Sequence, residues 1–186
     1  MRSVNKPLLY FSFFLYLALL VWIIIFKCNL YTPISESMII LPKLSIAERI
    51  SKGIPSIASV PNMLRDIDFW RNIIAFLPLG IYLPLISSRV RFASGTAIAF
   101  LLSLSFEISQ VFTCIGGLSL EDLFTNTVGF ILGYIIFKLI IDRLPDVIIN
   151  LTNIAVILIA TPIFLYATYN TYVNWEIYTI EYYHPR

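Results

Sequence analysis

Five apolar runs of nearly bilayer length constrain this chain more than any other feature. A helix needs about 20 mostly apolar residues to cross a hydrocarbon core roughly 30 Å thick. Leu8–Phe26, Asn72–Ile86, Phe92–Cys114, Leu120–Ile141 and Val147–Tyr169 come close to that length. Backbone in lipid must satisfy its own hydrogen bonds, which favours helices. Of the 186 residues, 59% are hydrophobic and only 13% charged, and the mean hydropathy is +0.84. A soluble domain of this size could not hide so much apolar surface. The expected fold is an all-α integral membrane bundle of about five transmembrane helices, with a long outer loop between the first two.

The first run follows Arg2 and Lys6. It exceeds the apolar core of a signal peptide, about 7–15 residues, and no small-residue cleavage site follows it. We read it as a retained span. The second run is the shortest and holds Pro78, Gly80 and Pro84, so a kinked or partly broken helix is expected there. The chain then divides into 1–26, an N-terminal tail and first span; 27–71, an extracytoplasmic loop; 72–141, a three-helix core; and 142–186, a fifth span and aromatic tail. Within the loop, Ser37 to Ile54 mixes apolar residues with Lys43, Glu48, Arg49 and Lys52, which suits either a helix lying in the interface or an irregular loop.

Orientation follows from Lys and Arg in the short connections. With the N-terminus cytoplasmic, the inner ends hold Arg2, Lys6, Arg89, Arg91, Lys138 and Arg143, and the short loop Ile115–Ser119 holds none. The C-terminus is then extracytoplasmic. Its Tyr169, Tyr172, Trp175, Tyr178, Tyr182 and Tyr183 would form an interfacial aromatic belt. The 13 basic residues are scattered between spans, so no nucleic-acid partner is expected. Cys28 and Cys114 fit neither a disulfide scaffold nor a zinc site and are read as unpaired, and His184 stands alone at the C-terminus. Neither a metal nor a cofactor is expected.

Polar chemistry gathers at the facing ends of the third and fourth spans. Ser103, Glu107, Gln110 and Cys114 share one helical stripe, and Asp122, Asn126, Gly129 and Gly133 share another. A charge at mid-bilayer costs about 2.5–3.5 kcal/mol on insertion scales. The candidate ligand-binding residues are Glu107, Gln110, Asp122 and Asn126, with Asn72 opening the second span. Asp122 lies nearer the interface, where charge is cheap, and Glu121 is read as facing headgroups. The simplest role for the amides is helix-to-helix hydrogen bonding, about 0.6 kcal/mol apiece. For the carboxylates three roles stand open: acid–base work, binding a hard cation such as Mg²⁺ or Ca²⁺, or contact with a cationic or hydroxyl-rich ligand. No reaction type is identified. Gly129-x-x-x-Gly133 permits close helix approach, and the third and fourth spans are expected to pack through it and the polar stripe.

Three motifs in series resemble those of the VanZ-like membrane proteins. Asn72 to Gly80 is similar to that family's N-x-x-x-F-x-P-x-G element, Glu107 to Gln110 to its E-x-x-Q, and Glu121 to Gly129 to its D-D-x-x-x-N-T-x-G. The likeness covers about Asn72 to Tyr134. Ser119 stands where the family often has an acidic residue, and no arginine occupies Ile115–Gly117. The resemblance implies a small multi-pass protein of the cell envelope, the founding member being associated with resistance to the glycopeptide teicoplanin. The partners expected are membrane lipids and, at the outward polar cluster, a lipid headgroup or cell-wall precursor. A membrane enzyme using Glu107 and Asp122 on a lipid-linked substrate is the first alternative. A small transporter or proton-coupled channel titrating at Glu107 is the second, weakened because the inner half offers no comparable polar relay.

Overall fold

The computed structural model of the protein describes residues 4–26, 45–48, 66–113 and 118–183. All regular structure among them is helical: α1 (Lys6–Phe26), α2 (Ile67–Ile86), α3 (Phe92–Thr113), α4 (Leu120–Leu139), a 3₁₀ turn (Ile141–Arg143) and α5 (Asp146–Tyr183). All five α-helices are long and apolar enough to cross a membrane. The proximal end of the bundle, where α1 begins, also holds the end of α2, the start of α3, the end of α4 and the start of α5. The distal end holds the starts of α2 and α4.

Local chemistry sets the helix starts. Asn5 caps α1, its Oδ1 accepting the Leu8 N–H at 3.1 Å, and Pro7 sits in the first turn where its missing N–H costs nothing. Ser119 caps α4 by accepting the Asp122 N–H at 3.1 Å, and Glu121 and Asp122 complement the positive end of that helix. Asp66 caps α2 by accepting from the Asp68 N–H. That cap starts α2 five residues before Asn72, so the span is longer than its apolar run and is not broken. The helix continues through Pro78 and Pro84. Tyr16 on α1 donates its hydroxyl to the Ala75 carbonyl of this helix at 2.8 Å.

The densest contact joins α2 to α4, which run in parallel. A Cβ on Gly129 would collide with the Ile73 carbonyl oxygen, one on Gly133 with that of Leu77, and one on Gly80 with that of Phe130. The Gly129/Gly133 surface therefore faces α2, not the third span as the sequence suggested. The reason is complementarity. Helix α2 supplies Gly80 and bare carbonyls for backbone contact, whereas α3 presents Ser103 and Glu107, which need hydrogen-bonding distance. The core beside this seam is Leu20, Ile24, Phe76, Leu79, Ala99, Phe106 and Phe130, with Phe76 and Phe106 edge-to-face at 6.3 Å. Helix α5 lies outside it, docked chiefly on α1. Its 38 residues extend about 57 Å at 1.5 Å per residue, past the expected end at Tyr169. No glycine or proline interrupts Asn170 to Tyr183, so nothing stops the helix.

Several expectations fall outside the described residues: Cys28 and Cys114, and most of the 37–54 stretch. In that stretch, Ser45 and Glu48 form a reciprocal capping box at the start of a helical turn, with Ser45 N–H to Glu48 Oε2 at 2.8 Å and Glu48 N–H to Ser45 Oγ at 3.3 Å.

Candidate functional site

At the distal end, α1, α2 and α4 enclose a cleft lined by Ile23, Ile24, Asp68, Arg71, Asn72, Asp122 and Asn126. Parallel packing of α2 and α4 puts both helix starts side by side. Asn72 Nδ2 thus donates to Asp122 Oδ1 at 2.9 Å across 50 residues of sequence. One turn before Asn72, Asp68 pairs with Arg71 at the more exposed mouth. Asn126, wholly buried, lies one turn beyond Asp122. Its Nδ2 donates to Ser103 Oγ on α3 at 2.9 Å, and its Oδ1 has no hydrogen-bond partner among the described residues. The volume open to a water-sized group is about 10 Å³, on the order of what one water molecule requires.

Of the five candidate residues, Asn72, Asp122 and Asn126 line this cleft. The other two are turned to different work. Glu107 is 1% exposed, and its Oε2 accepts the Ser119 N–H at 2.6 Å. It thereby ties the end of α3 to the start of α4, where a positive helix terminus favours a carboxylate. Gln110 Nε2 donates to the Ile24 carbonyl at 2.5 Å and fastens α3 to the end of α1. Asp68 and Arg71 are cleft residues that the apolar-run reading left outside the site. Counted as i and i+3 before Asn72 on one helix, they were recoverable.

A second polar cluster, of neutral side chains, occupies the proximal half. Ser12, fully buried, shares its hydroxyl proton between the Leu9 carbonyl at 3.0 Å and Asn153 Oδ1 at 2.8 Å. Tyr82 donates to the same oxygen at 3.4 Å, and Tyr16 stacks on Tyr82 with centroids 5.7 Å apart. Asn150 Oδ1, one turn earlier on α5, accepts the Asn5 N–H at 3.0 Å. The signal was the spacing Asn150-x-x-Asn153 within the fifth apolar run.

Chemically, the distal cleft offers a carboxylate held by an amide, an amide oxygen in need of a donor, and a guanidinium at the mouth. Among the described residues no three His, Cys, Asp or Glu side chains come together as a metal site would require.

The VanZ/LLP1 family model matches residues 13–141, which takes in α1 to α4 and leaves α5 outside. Protein VanZ of Enterococcus faecium is 33% identical over 125 residues, covering 67% of this chain and 70% of that protein. No solved structure matches the chain.

Proposed function

The chain belongs to the VanZ/LLP1 family, and from that premise we propose that it is a cell-envelope membrane protein whose distal cleft binds a lipid headgroup or the corresponding part of a lipid-linked cell-wall precursor. The observation that carries this reading is a cleft lined by Arg71, Asn72, Asp122 and Asn126, with the buried Asn126 Oδ1 unpartnered among the described residues. Orienting the carboxylate through Asn72 and leaving an amide acceptor open suits recognition of a donor-bearing ligand. The cleft opens at headgroup depth. Residues Ile67 and Trp70, beside Asp68 and Arg71 on α2, are exposed where lipid would lie.

We place the N-terminus in the cytoplasm and the distal end outside, on the distribution of Lys and Arg in the short connections. A cysteine at Tyr182 should be labelled by an impermeant reagent on intact cells, and one at Ser88 should not. Reversed labelling would invert the arrangement and turn the cleft toward the cytoplasm.

Binding is favoured over passage. The proximal cluster is built of neutral groups, and the fully buried Leu20, Phe76, Leu79 and Phe130 stand between it and the cleft along the helices. An association with teicoplanin resistance belongs to the same proposal, since glycopeptides act on the outer face, where this cleft would open. The test is isosteric. The wild-type gene should lower teicoplanin susceptibility in a sensitive host, and Asp122→Asn should abolish that effect at equal expression. Full activity of a well-expressed Asp122→Asn protein would remove the cleft from the function.

A further inference from the structure

Resting on the headgroup-binding reading, we infer that the distal cleft selects a primary ammonium, carried by a zwitterionic aminophospholipid whose phosphate meets Arg71 at the mouth. Three independent features converge on that chemistry. The first is charge: the cleft is lined by two carboxylates and one guanidinium, a net negative balance that favours a cation. The second is hydrogen bonding. Asn126 is among the cleft's lining residues, its Oδ1 is buried and lacks a partner among the described residues, and an acceptor stranded in this way is relieved only by a donor. Its amide nitrogen is already committed to Ser103. An ammonium has three N–H donors to offer Asp122 and Asn126 together. The third is size. A cavity of about 10 Å³ admits a group the size of one water molecule, as an –NH₃⁺ is and a trimethylammonium is not.

The anionic half of the ligand has its own partner. Arg71 is paired with Asp68 at a position where its side chain is 32% exposed and that of Asp68 51%. An ion pair so open to solvent is weak, and a phosphate can displace the carboxylate through the same planar donor fork. A lipid source, not a free metabolite, follows from location. The neighbouring Ile67 and Trp70 are exposed on α2, and an aromatic at headgroup level is a membrane-interface feature.

The test is native mass spectrometry of the full chain, purified in mild detergent and offered equimolar phosphatidylethanolamine, phosphatidylcholine and phosphatidylglycerol with identical acyl chains. Phosphatidylethanolamine should be retained at least tenfold over phosphatidylcholine, and O-phosphoethanolamine should compete it off. Asp122→Asn should cut retention at least tenfold, and Arg71→Gln should weaken it severalfold, with unfolding midpoints measured alongside. Equal retention of the ethanolamine and choline lipids by the wild type overturns the ammonium assignment and needs no variant. If phosphatidylglycerol is preferred and lost in Asp122→Asn, the ammonium assignment fails while headgroup binding stands. If no lipid is retained above a helical membrane-protein control, both fail.

Discussion

The distal and proximal ends of this bundle each bury an asparagine with one amide atom unpartnered among the described residues, Asn126 Oδ1 and Asn153 Nδ2, yet the two differ in what surrounds them. At the distal end the asparagine lies one turn from Asp122 and beside an opening lined by Arg71 and Asp68. At the proximal end Asn153 is enclosed by neutral donors, Ser12 and Tyr82, with the Tyr16 and Tyr82 rings stacked alongside. A buried polar side chain is therefore not itself a site. Charge and access make the distal cluster fit for a ligand, whereas the proximal cluster has the composition of helix-to-helix glue.

The widest test of this contrast is to remove the seam that holds both ends in register. Gly129 and Gly133 touch α2 carbonyls so closely that any side chain forces the helices apart. Replacing both with Leu should cost roughly 3 kcal/mol or more, beyond ordinary overpacking of about 1–3 kcal/mol. Folded protein recovered in detergent should fall severalfold, and lipid retention should vanish with it. Unchanged thermal stability would mean that α2 and α4 do not meet here.

A narrower test separates the ends. Asn153→Leu removes the acceptor for Ser12 and Tyr82 and should destabilise by about 1–3 kcal/mol, the range for stranding buried partners. Lipid retention should persist in the protein that folds. Asp122→Asn should do the reverse, with near-native stability and lost retention. If Asn153→Leu abolishes retention at full stability, the proximal cluster is part of the functional site and the contrast collapses.

The sequence exposed the fold and part of the site, for identifiable reasons. Bilayer length is a one-dimensional constraint, so the five spans could be counted directly. The pairing of α3 and α4 ends followed from a short connection that brings Glu107 to Ser119. Which helix the glycine stripe met was not legible, because a small-residue pattern states that something approaches closely without saying what. Only the parallel packing of α2 on α4 brings Asn72 to Asp122. The weight given to Glu107 over Asp122 came from depth in the span alone. The structure adds what depth alone does not show: a carboxylate facing a helix N-terminus and a backbone N–H has a structural reason to be buried.

At the connection itself, Ser119→Ala should cost about 1 kcal/mol, the usual loss when an N-cap hydroxyl is removed. The Glu107 bond should survive, since it is made by the Ser119 backbone N–H. Lipid retention should fall only slightly, because the Asp122 side chain remains held by Asn72. A large loss of retention would mean that the cap, not Asn72, sets the carboxylate.

The smallest effect expected is at Tyr82→Phe, and it bears on whether the proximal cluster is glue or something more. The hydroxyl of Tyr82 reaches Asn153 at 3.4 Å, near the long limit for such a bond, while Ser12 already serves the same oxygen at 2.8 Å. Ring packing on Tyr16 and Phe13 is kept by phenylalanine. The loss should therefore be no more than the roughly 0.6 kcal/mol typical of interhelical hydrogen bonds in membranes, read as a small drop in unfolding midpoint with lipid retention untouched. Ser12→Ala, which breaks the shorter bond, should cost at least as much. If Tyr82→Phe is instead the more damaging of the two, the phenol has a role beyond this hydrogen bond, and the proximal end can no longer be treated as the inert half of the comparison.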